Sequence, residues 1–104
     1  MYDFTETIQR IENLDYLDMV AAIQAEIRTA ETNAYSGKSG CVKHREMGAP
    51  QYASRMKALA FFLGNSVIPG GANDSDIAIF KTITQKLVKK GQLKPEALDV
   101  FNFR

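Results

Sequence analysis

The chain has one cysteine and one histidine in 104 residues. A lone Cys41 excludes any disulfide within the chain and suits a reducing compartment. A zinc site is equally short of ligands. Cys41, His44 and Glu46 would need further ligands from a second chain to reach the usual set of four. Long apolar runs are also missing. The densest, Ala58 to Leu63, falls far short of the roughly 20 residues a membrane span needs. Met1 to Glu6 lack the basic region and apolar stretch of a secretion signal. The expectation is a cytoplasmic protein without a membrane segment. There is no internal repeat and no low-complexity tract. Nor does charge of one sign prevail: 13 Lys plus Arg stand against 12 Asp plus Glu, a formal net charge of +1. That total argues against a wholesale polyanion binder and, with an ordinary apolar content of 45%, against intrinsic disorder.

What is present is helical periodicity. At this length a single domain over residues 1–104 is expected. Phe4, Ile8, Ile11 and Leu14 recur at helical spacing, with Thr5 or Asp3 as a cap. Asn13 and Asp15 then offer a break, so the first two segments form either one bent helix or two. Tyr16, Val20, Ile23, Ile27, Ala30 and Ala34 form a longer seam, which packs on another helix of the chain or of a second subunit. Ser36-Gly37 ends it. Residues 36–49 carry three glycines and no apolar period, and read as a Gly-rich basic loop. Pro50 suits the first turn of a third helix with Tyr52, Met56, Leu59 and Leu63 on its inner face and Gly64-Asn65 as its stop. Phe61 and Phe62 are adjacent and cannot point the same way. Pro69-Gly70-Gly71 is a turn. Asp74 or Ser75 is expected to cap a fourth helix, whose face is Ile77, Phe80, Ile83, Leu87 and Val88 and whose stop is Gly91. Pro95 begins a short fifth helix. The expected fold is all-α: four or five helices in a compact bundle, with the Gly-rich loop between its N-terminal and C-terminal parts.

Charge is distributed unevenly along this plan. Residues 1–35 hold seven acids and two bases; residues 36–57 hold five bases and one acid; the remainder is mildly basic. The middle block makes Lys38, Lys43, His44, Arg45, Arg55 and Lys57 a candidate anion site. Glycines permit close backbone approach, the cations supply charge, and Tyr35 and Tyr52 are placed to stack on bases. The competing explanation is that these charges balance the acidic N-terminal helices. Glu12, Asp15 and Asp18 would make an acidic ridge if they shared one helix.

Other motifs carry less. Ser36-Gly37-Lys38-Ser39 has the tail of a P-loop, but Thr32 stands where glycine is needed and a helix precedes it instead of a strand. Cys41 and His44 form a nucleophile–base pair on paper, with Lys43 and Arg45 nearby to lower the thiol pKa, but without an orienting partner. Asp74 and Asp76 have calcium-loop spacing, yet Ala78 stands where the next ligand belongs. Met19, Met47 and Met56, if outside the core, would signal a subunit interface. The favoured reading is a small non-enzymatic adaptor that binds a protein partner or itself, with no cofactor implied. Nucleic-acid or nucleotide binding through residues 36–57 is the alternative, and a Cys41/His44 thiol enzyme comes third.

Overall fold

The first helix is set by a cap and a stripe. Asp3 is its N-cap, accepting a hydrogen bond from the Glu6 backbone N–H at 3.0 Å. This satisfies one of the donors that every helix start leaves open. Helix α1 (Phe4–Ile11) then buries Phe4, Thr7, Ile8 and Ile11 on one face. It stops before Asn13, and α2 (Tyr16–Tyr35) begins after a short turn. The two N-terminal segments are therefore separate helices. The computed structural model describes residues 3–35 and 49–103. The Gly-rich segment 36–48 lies outside them.

Helix α2 pairs with α3 (Ala49–Asn65). Contacts join the start of α2 to the end of α3, Tyr16 to Leu63, and the second half of α2 to the first half of α3, Glu26 to Tyr52. The two helices run antiparallel. The α2 seam is satisfied inside the chain: Ile23, Ile27 and Ala30 are buried in the same core cluster as Tyr52, Met56, Leu59, Phe62 and Leu63 of α3. Met19 and Met56 are fully buried too. They are core, and give no sign of a subunit interface.

Helix α3 ends at Asn65, where the Gly64-Asn65 pair places its stop, but Gly64 is still helical and the left-handed residue is Ser66, at φ 56°. The Asn65 side chain donates back to the Phe61 carbonyl at 3.0 Å, which ties down the last turn. After it, Ala72 N–H bonds Pro69 C=O across a turn in which Gly71 takes φ +86°, a conformation that glycine adopts without a steric penalty.

The cap of α4 (Asp74–Lys89) is Asn73, not Asp74 or Ser75; its side chain accepts from the Asp76 N–H at 2.8 Å. The far end follows the sequence closely. Gly91 takes φ +77°, Gly91 N–H bonds Val88 C=O, and Gln92 N–H bonds Leu87 C=O. That pair of bonds is a Schellman closure. The chain ends in a 3-10 helix, Pro95–Phe103. Its Phe101 lies 5.5 Å from Phe62, which in turn stacks on Phe80 at 5.2 Å. Among the described residues there is no strand. None of the described helices is long and apolar enough to cross a membrane.

Candidate functional site

Of the six candidate anion-binding residues, Lys38, Lys43, His44 and Arg45 lie outside the described residues, as does Cys41. The other two sit on α3 and are engaged within the fold. The Arg55 guanidinium bonds the Asp76 carboxylate through both Nε (3.4 Å) and Nη2 (2.5 Å). Its carbon also lies 3.9 Å from the centre of the Phe4 ring. Arg55 thus ties α1, α3 and α4 together. Asp76 is only 5% exposed. Its charge is held by the guanidinium and by its place in the first turn of α4, where the helix dipole favours an anion. Lys57 is paired with Glu31 of α2. Positions 55 and 57 stand two residues apart on a helix, so their side chains leave on nearly opposite sides.

Tyr52 does not offer a stacking face, because it is fully buried. Its hydroxyl donates to Glu26 Oε1 at 2.6 Å, and so accepts from Thr7 Oγ1 at 2.7 Å. Arg10 donates to the same Thr7 oxygen at 3.2 Å and approaches Glu26 at 4.0 Å. Four side chains from α1, α2 and α3 thus form a closed polar ring. Burial, reinforced by the bond to Glu26, pushes the Tyr52 hydroxyl up to about 12. Tyrosinate is disfavoured there at neutral pH, so the ring joins helices and does not present a nucleophile.

Sequence reasoning missed both polar clusters, although each leaves a trace. Thr7 interrupts the α1 stripe at three residues from Phe4 and four from Ile11. Asp76 precedes Phe80, Ile83 and Leu87 at helical spacing. A polar residue in line with a buried face needs a partner in the core.

The acidic ridge does not form, because Glu12, Asp15 and Asp18 do not share a helix. Glu12 pairs with Lys86 at 3.3 Å and Asp15 with Lys90 at 3.6 Å. Lys86 also donates to Asn13 Oδ1 at 2.9 Å, and Lys90 to the Asn13 carbonyl. The acidic front of the chain is folded against its basic end. Beside this contact, Thr5, Ile8, Gln9 and Glu12 face Ala78, Ile79 and Thr82 across a groove of about 290 Å³. Among the described residues no three His, Cys, Asp or Glu side chains are grouped to hold a metal ion.

Among the described residues, three large hydrophobic side chains remain outside: Leu17 at 78% exposure, Phe61 at 46% and Val67 at 54%. Leu17 follows Tyr16, whose hydroxyl bonds the Leu63 carbonyl, and Phe61 and Val67 bracket Leu63 in sequence. All three belong to the end of the molecule where α2 begins and α3 ends. Comparison with models of protein families, with curated proteins and with solved structures finds no match for this chain.

Proposed function

We propose that the protein is a non-catalytic helical adaptor of the cytoplasm that acts by binding another protein. The observation that supports this reading is the placement of Leu17, Phe61 and Val67. Single exposed hydrophobics are ordinary, but three at one end of a small domain are a common property of contact surfaces. The buried polar groups favour the same reading. Tyr52, Thr7, Glu26, Arg55 and Asp76 are spent on one another, which suits a rigid scaffold more than a reacting centre.

The test is affinity capture from the source lysate with the wild type and the Phe61→Glu/Val67→Glu double variant, each with and without nuclease. The expected result is a protein that survives nuclease and is lost with the double variant. Capture that the double variant leaves unchanged would overturn this surface. Nuclease-sensitive capture would point instead to anion binding through Lys38, Lys43, His44 and Arg45.

A further inference from the structure

The inner seam of α2 is used within the chain, but its outer face has a pattern of its own. Asp18, Ala21, Ala25 and Arg28 are all exposed and fall within one arc of the helix. Asp18 and Arg28 make no ion pair among the described residues, whereas the other acids of α2 and of the turn before it, Glu12, Asp15, Glu26 and Glu31, all do. The two free charges are ten positions apart, about 15 Å along the helix. Their midpoint is Ile23. Ala21 and Ala25 have the same midpoint.

We propose that this face binds the α2 of a second copy of the chain, antiparallel, about a two-fold axis passing beside Ile23. In that register Asp18 of each copy meets Arg28 of the other, and Ala21 of each meets Ala25. The surface is self-complementary in charge, as a two-fold interface must be. It is also free of bulk at its centre, which lets two helices approach at the short end of the usual 8–10 Å range. One antiparallel register satisfies both conditions, whereas parallel pairing keeps the alanines together but sets Asp18 beside Asp18 and Arg28 beside Arg28. The face lies on the solvent side of α2 and leaves the core untouched. The proposal extends the adaptor reading to self-association and does not use Phe61 or Val67.

Sedimentation across a concentration series tests it, with Asp18→Arg, Arg28→Asp and the double exchange Asp18→Arg/Arg28→Asp. The wild type should dimerise. Each single change should weaken the dimer by about tenfold or more, because it turns two attractions into two repulsions. The double exchange should restore it, and the two single variants mixed should prefer each other. A wild type that stays monomeric at high concentration overturns the proposal, as does a double exchange that fails to restore dimers. Circular dichroism confirms that each variant is folded. Phe61→Glu/Val67→Glu should dimerise normally, so loss of partner capture and loss of the dimer are separate results.

Discussion

Single side chains decide how the helices of this protein are joined. Tyr52 brings its hydroxyl into the core and finds Thr7 on one side and Glu26 on the other. Tyr52→Phe removes the middle of that chain and leaves both neighbours short of a partner. The expected cost is about 1–2 kcal/mol in urea unfolding. The hydroxyl also sets a pH dependence. Its folded value of about 12 lies above its ordinary 10.0, so the folded state holds the proton more tightly. The stabilisation is complete below pH 10 and is lost as pH rises towards 12. Lysines titrate in the same window, so the measurement is the difference between wild type and Tyr52→Phe, which should narrow as pH rises through it. Asp76→Ala should be more severe, about 3 kcal/mol, because it strands the Arg55 guanidinium over the Phe4 ring without its carboxylate. Such pairs are hard to read from a sequence. Thr7 and Tyr52 are 45 positions apart, and helical periodicity says nothing about which buried polar group meets which.

The helices themselves were legible. The faces of α1 and α3 follow from spacing alone, and so do Phe80, Ile83 and Leu87 of α4; Ile77 and Val88, expected beside them, are only half-buried, and Asp76 and Thr84 complete that face instead. The Gly91 stop of α4 follows from residue type. The end of α3 was legible in place but not in detail. Glycine is the usual left-handed residue, so Gly64 suggests itself, yet Gly64 stays helical beside the buried Phe62 and Leu63, and Ser66 takes the turn. Ser66→Gly should remove the penalty of a Cβ in that conformation and stabilise the protein by about 0.5–1 kcal/mol in thermal unfolding. The start of α2 was likewise hidden. The Tyr16 N–H is capped by the Gln92 side chain at 2.6 Å, from 76 positions away. Gln92→Ala is expected to cost about 1 kcal/mol, as loss of a cap does.

At the scale of the whole molecule, segment charges explain much of the surface. Seven acids in the first 35 residues look like a docking patch when read as a string. Folded, Glu12, Asp15 and Glu31 meet Lys86, Lys90 and Lys57. These pairs are partly exposed and so individually weak. Raising salt from about 0.01 M to about 0.15 M shortens the screening length from roughly 30 Å to roughly 8 Å. Stability should fall over that range by less than about 1 kcal/mol, and a Lys86→Gln/Lys90→Gln variant should lose most of the salt response. Charge order along the chain showed that a balance existed. For Glu12 and Asp15 the partner depended on α4 returning its C-terminus to the α1–α2 turn, and for Glu31 on α3 lying antiparallel to α2, tertiary facts that no local window contains.

That return has a kinetic consequence. Because the Tyr16 amide is held by Gln92, its proton can exchange with solvent only when the segment after α4 lets go. Tyr16 should therefore exchange in step with the Gly91 and Gln92 amides of the α4 closure, not with the remainder of α2. One amide near the N-terminus thus reports on the opening of the C-terminus.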